Sequence, residues 1–270
     1  MHAEPAAPST HSGDGAAPRP WPAHPGGAPP GTLRVTWLIA RRAALEALQD
    51  RFTLVMSLFF VIALPLGLVS LVLRPQADAG ELGIFGLGLS FSLLTVGLLP
   101  ALSAVGIASG QFAGEHERGV LVPLLASPAS NLAIFGGKVL GAVIPPLVYA
   151  LVAEVVYLLG MALVVGPGAL GFLSPPLVAE VILLVPAVTG LAAIVASLIS
   201  SRVRTFNAAQ QLAGLVLGPI LAVILGGAAR LLDAGAVALL AAILGLLLLD
   251  LALAALAAAT WQREEVLSRR

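Results

Sequence analysis

Three acidic side chains stand inside long apolar runs of this sequence: Glu154, Glu180 and Asp250. A carboxylate in such a run can serve a proton or substrate path, or, once protonated, it can hydrogen-bond between helices. A charge at a helix centre costs about 2.5–3.5 kcal/mol on insertion scales, so each acid needs protein or water around it. Glu180 follows Pro175-Pro176 and is expected to reach the interface. Asp250 should lie about 15 Å from the inner end of its helix, at 1.5 Å per residue, close to the midplane. Glu154 has Tyr157 one turn on. Glu154 and Asp250 are therefore candidates for a pathway or for interhelical contact, and the residues leave both open. An intramembrane enzyme using either acid would need a second polar partner at a consistent depth, and the apolar runs offer none.

Other chemistries fall away by residue type. Cysteine is absent, which excludes disulfides, thiolate metal sites and a cysteine nucleophile. His2, His11 and His24 have no metal-site spacing, and His116 is the only other histidine, so no Ser/His/Asp arrangement survives. A phosphate-cradling loop needs Gly, four residues, then Gly-Lys-Ser/Thr at a helix start. Gly137-Lys138 is the only Gly-Lys, and Leu132 and Val139 stand where Gly and Ser/Thr are required. No catalytic residue, bound cofactor or metal is expected in this chain.

The elements that must position these residues are set by composition. Of 270 residues, 59% are hydrophobic and 10% charged, and mean hydropathy is +1.00. A soluble domain carries about 25% charged residues, so this chain reads as an all-α polytopic membrane protein. Six spans are expected near 52–73, 83–110, 137–165, 175–200, 209–228 and 235–260. Five of them contain proline: Pro65, Pro100, Pro145 with Pro146, Pro186 and Pro219. Residues 1–31 hold eight of the twenty prolines and nothing to bury, which reads as a disordered cytosolic tail before the membrane domain at 32–270. Net charge is zero, with no sign of a nucleic-acid partner.

Residues 32–51 read as an amphipathic elbow helix at the lipid interface. Arg34, Arg41, Arg42, Glu46 and Asp50 fall on one side, and Trp37, Ala40, Ala44 and Leu48 on the other. A cytosolic extension of the first span is the alternative. With the N-terminus inside, twelve Arg and Lys residues fall on the inner side and two, Arg74 and Arg230, on the outer. Both termini are then cytosolic, as expected of a multi-pass protein of the cell inner membrane. The outer loops should be short, and glycine pairs such as Gly137–Gly141 and Gly214–Gly218 allow close helix packing.

The connection between the second and third spans is long for a joint. It reads Glu115-His-Glu-Arg-Gly-Val-Leu-Val-Pro-Leu-Leu-Ala-Ser-Pro, with Gly137-Lys138 after it. It combines a charged head, an apolar patch over Val120–Leu125 and a Ser-Pro turn, and Ser130 or Asn131 can cap the helix that follows. Apolar side chains beside charges suit a docking surface for another protein; the alternative is a charged loop shaped by solvation alone.

This stretch resembles the signature of the ABC transporter permeases of the type-two exporter family. That signature usually runs Glu-x-Glu-Arg-Gly-Thr-Leu-Glu-x-Leu-Leu, a Ser/Thr-Pro turn and a Gly-Lys pair. Val120 replaces the Thr and Val122 the second Glu. Asn207-Ala-Ala-Gln-Gln-Leu212, read as part of the second cytosolic loop, is similar to that family too, as is the six-span layout. The resemblance implies a coupling helix between spans two and three, resting on a separate ABC ATP-binding subunit through Glu115, Glu117, Arg118, Gly119, Leu121, Leu124 and Leu125. ATP and magnesium would belong to that partner. It also implies a homodimer, or a heterodimer with a related permease, in contact with membrane lipid. The haem-exporter B subunit of cytochrome c maturation and the permease for nitrous oxide reductase maturation share this shape. A membrane anchor that only recruits a soluble partner is the rival from another class.

Overall fold

The computed structural model describes residues 32–49, 51–80, 82–119 and 129–260. The proline-rich tail, Asp50, the Val120–Leu125 patch with Leu121, Leu124 and Leu125, and the basic C-terminus lie outside the described residues. Among the described residues every regular element is helical. Six helices are long and apolar enough to cross a membrane: Val55–Asp78, Leu82–Glu117, Asn131–Val164, Pro175–Ser200, Phe206–Gly227 and Val237–Thr260. Leu71, Leu163 and Val237 on their outward faces are 80%, 85% and 84% exposed. Apolar surface on that scale has no place in water, whereas hydrocarbon solvates it freely.

The helices overrun the apolar runs at several ends. The first continues through Arg74–Asp78, where Arg74 Nε reaches Asp78 Oδ2 at 3.8 Å one turn on. The second continues through a π turn, Gly110–Gly114, to Glu117. The fifth helix runs Phe206–Asp233, so Asn207–Leu212 belongs to its opening turns and not to a loop. The third starts at Asn131 because Ser130 Oγ accepts the Ala133 N–H at 3.1 Å, capping an otherwise orphaned donor. Backbone groups need partners past the last apolar residue as much as before it, so helix persists into polar sequence.

Proline shapes the first span. Π turns at Phe59–Ala63 and Val69–Leu73 each end just before a proline, Pro65 and Pro75. In both, the N–H preceding the proline bonds five residues back, Leu64 to Phe59 and Arg74 to Val69. The wider turn relieves the clash of the proline ring with the carbonyl four residues before it.

An amphipathic helix, Thr32–Gln49, lies along the start of the third span. Its buried residues are Ala40, Ala43 and Ala44, while Trp37 and Leu48 stay exposed. Only the alanines of that side are packed, and the opposing helix explains why. A Cβ at Gly137 would lie 2.8 Å from the Ile39 Cβ and the Thr36 carbonyl, and one at Gly141 only 2.5 Å from the Ala43 Cβ. Two backbones that close accept alanine between them and exclude indole. Gly214 and Gly218, by contrast, face open space.

The fourth span is the most enclosed and packs on the second, third, fifth and sixth. Three apolar clusters surround it along its length. One joins Val69, Phe85, Leu93, Tyr157 and Met161, a second joins Val105, Leu191, Ala213 and Leu217, and a third joins Leu98, Val185 and Ile243. A fourth cluster, Phe112, Ile134, Phe135 and Ala257, closes the end where residues 115–119 emerge.

Candidate functional site

At that end Lys138, the chain's only lysine, is 2% exposed. Its Nζ donates to the Gln111 carbonyl at 2.5 Å and to Glu115 Oε2 at 2.6 Å, and lies 5.0 Å from the centre of the Phe112 ring. Gln111 and Phe112 belong to the π turn Gly110–Gly114, and such turns disturb the carbonyl ladder and free acceptors. An ammonium this deep needs every such contact, since its desolvation is recovered only by charge and hydrogen bonding together.

Around this bridge the other sequence-predicted residues are distributed unequally. Glu115 is half-buried and committed to Lys138. Glu117, Arg118 and Gly119 are exposed. Glu117 Oε2 accepts the Phe206 N–H at 3.1 Å, and Thr205 Oγ1 accepts that of Ala208 at 3.4 Å, so two orphan donors of the fifth helix are capped from different segments. Arg118 Nε donates back to the Gly114 carbonyl at 3.0 Å. Gly119 has φ +71°, a left-handed geometry that closes the helix without strain. Arg42 and Glu46 pair on the neighbouring amphipathic helix at 2.8 Å. The bond to Glu46 raises the Arg42 guanidinium above its ordinary range, and Glu115 adds to the effect.

The two acids are placed separately. Asp250 is 8% exposed, and its Oδ1 has no hydrogen-bond partner among the described residues. Its Oδ2 fills a notch on the fourth span, 3.2 Å from where a Cβ on Gly190 would stand. Glu154 Oε1 is likewise buried and without a partner, seated over Gly97 where a Cβ would approach it to 2.6 Å. One turn on, Tyr157 and Ser92 hydrogen-bond through their hydroxyls, joining the second and third spans. The residues missed by sequence reasoning are Lys138 as an ion-pair partner and Gly97 and Gly190 as seats for the acids. A lone lysine in a chain with thirteen arginines was the available signal for the first; nothing in the sequence pairs the glycines with the acids. Among the described residues no three His, Asp or Glu side chains gather in a group that could hold a metal ion. No protein-family model matches the chain, and no curated protein matches it.

Proposed function

We propose that this chain is the membrane-spanning permease subunit of an ATP-driven ABC transporter, working as an exporter. The observation that carries the reading is a meeting of two distant segments. Glu115–Gly119 and Asn207–Leu212 bear the sequence resemblance separately, and Glu117 bonds the backbone at Phe206, immediately before the second. Gly106 and Gln210 adjoin in the same way, a Cβ on the former standing 3.5 Å from Gln210 Nε2. A joint of this kind gives an ATP-binding subunit one surface from which to act on the second, third and fifth spans. Exposed Glu117, Arg118 and Gly119 form its tip, and Leu121, Leu124 and Leu125 would supply the apolar contact. ATP and magnesium sit on the partner. Closure of two such partners would switch the pathway between inward- and outward-facing states. Two permease chains line that pathway, as a homodimer or with a related chain, in the cell inner membrane with both termini cytosolic.

The test is affinity purification of the tagged chain from its native membranes. A copurifying subunit with a phosphate-binding loop, and magnesium-dependent ATP hydrolysis by the complex but not by the chain alone, is the expected result. Hydrolysis by the isolated chain, or a complex with no nucleotide-binding partner, would overturn the reading.

A further inference from the structure

The contacts of Lys138 tie two spans at a point where one of them is locally unwound. Lys138 belongs to the third span, just over two turns after the Ser130 cap. Its partners Gln111 and Glu115 belong to the second span, one inside the π turn Gly110–Gly114 and the other just after it. The same short stretch then leads into Glu117, which holds the start of the fifth helix. Phe112 packs beneath the bridge in a cluster with Ile134, Phe135 and Ala257, and Ser200 Oγ reaches the Ala108 carbonyl of the second span at 3.4 Å. A displacement of Glu117–Gly119 is therefore felt two residues back along the second span, at the Lys138–Glu115 bridge to the third.

We infer that Lys138 is a positioning residue: its bridge to Glu115 and to the π-turn carbonyl of Gln111 locks the ends of the second and third spans into one lever. The inference rests on the transporter reading above and adds to it the element that transmits force. With the lock in place, a push at Glu117–Gly119 rotates both spans together. Without it, the π turn absorbs the push locally, because its hydrogen-bond ladder is already loosened there. The third span carries Glu154 and Tyr157 further along, so its motion is the one that reaches the middle of the membrane.

A single change at Lys138 leaves Glu115 without its partner and risks misfolding. The test therefore uses the double variant Glu115→Gln with Lys138→Met, which removes both charges and keeps similar volumes. Spin labels go on Leu163→Cys of the third span and Val237→Cys of the sixth. Both positions are exposed, 85% and 84%, and the chain has no native cysteine. In the purified complex, ATP hydrolysis and the label distance are read with and without vanadate-trapped nucleotide. The expected result is that the double variant still assembles and hydrolyses ATP, while the equilibrium constant of the nucleotide-driven shift falls about two- to thirty-fold, the range that coupling mutations span. The exchanged pair, Glu115→Lys with Lys138→Glu, should restore part of the shift, which lost packing alone would not allow. A double variant that shows the full nucleotide-driven shift overturns the inference and leaves the transporter reading intact. A native-sequence complex that neither hydrolyses ATP nor responds to it removes the transporter reading, and the lever with it.

Discussion

Glu117 and Phe206 are 89 residues apart in the chain, yet the carboxylate of one accepts the backbone N–H of the other at 3.1 Å. The bond does two things at once. It satisfies an orphan donor at the start of the fifth helix, and it places a negative charge against the positive end of that helix's dipole.

Truncation at this position should show as lost stability before any loss of partner binding. Glu117→Ala is expected to lower the stability of the detergent-solubilised chain by about 1 kcal/mol, the usual cost of losing a cap. Glu117→Gln keeps an acceptor and should lose only part of that. Thermal unfolding followed by circular dichroism reads the order; equal stability of the alanine variant and the native chain would show that the bond holds nothing.

The glycines separate into two kinds with opposite expected behaviour. Gly137→Ala and Gly141→Leu drive a side chain into the amphipathic helix, where the obstacles at Gly137 include a backbone carbonyl that cannot swing away. Overpacking of that kind costs about 1–3 kcal/mol. Gly214→Ala and Gly218→Ala meet nothing within 4 Å and should be neutral or stabilising, by up to about 1 kcal/mol in helix propensity. Melting temperatures of the four variants test the division directly.

That contrast marks how far the sequence could be read. Membrane class, six apolar helices and the Ser130 cap follow from hydropathy and capping chemistry, which act within a few residues. Gly137–Gly141 and Gly214–Gly218 look alike in sequence, and only the helix lying against the first pair distinguishes them. Likewise the sequence marks Glu115 and Glu117 as a charged head but not what holds them. One binds a buried lysine and the other a helix start, through contacts 23 and 89 residues apart. Amphipathic faces are local properties; the partner that covers a face is not, so the sequence puts Trp37 and the alanines on one side without saying that only the alanines meet the third span.

Orientation is testable with the cysteine-free chain. Asp78→Cys at an exposed helix end and Ala234→Cys at an exposed turn lie on one side, Arg118→Cys and Arg204→Cys at exposed positions on the other. In intact cells an impermeant maleimide should label the first pair, and the second pair only after permeabilisation, because the sequence pattern assigns twelve of fourteen basic residues to that side. Reversed labelling would place Glu117 outside the cell and end the coupling scheme.

The hydroxyl pair Ser92–Tyr157 gives a measure of polar contact between spans. Tyr157→Phe and Ser92→Ala should each be mildly destabilising, and their double-mutant cycle should return a coupling of about 0.6 kcal/mol, the average for such bonds in membranes. Strict additivity in thermal unfolding would show that the two hydroxyls do not share a bond.

Asp250 is the sharper case because no described residue hydrogen-bonds its buried Oδ1. An acid that cements two helices needs an acceptor or donor on the other helix, and Asp250 Oδ1 is buried with none. Gly190 provides room for the carboxyl but no side chain to bond it. A buried polar atom without a partner is a standing cost of about 1–3 kcal/mol, and replacing it by an apolar group of the same shape removes the cost. Leucine has that shape, a methyl in place of each oxygen. Asp250→Leu should therefore raise the melting temperature of the purified chain, while Gly190→Ala, which presses a methyl against Oδ2, should lower it. If the acid were cement, Asp250→Leu would destabilise instead. On the transporter reading, an acid that costs stability where it stands belongs to the pathway, and Asp250→Asn isolates that role: the amide keeps the size and hydrogen-bonding capacity but gives up the titratable proton. Stability should be unchanged within about 0.6 kcal/mol, and ATP-driven transport in reconstituted vesicles should fall. Full transport by both the asparagine and the leucine variants would take Asp250 out of the pathway.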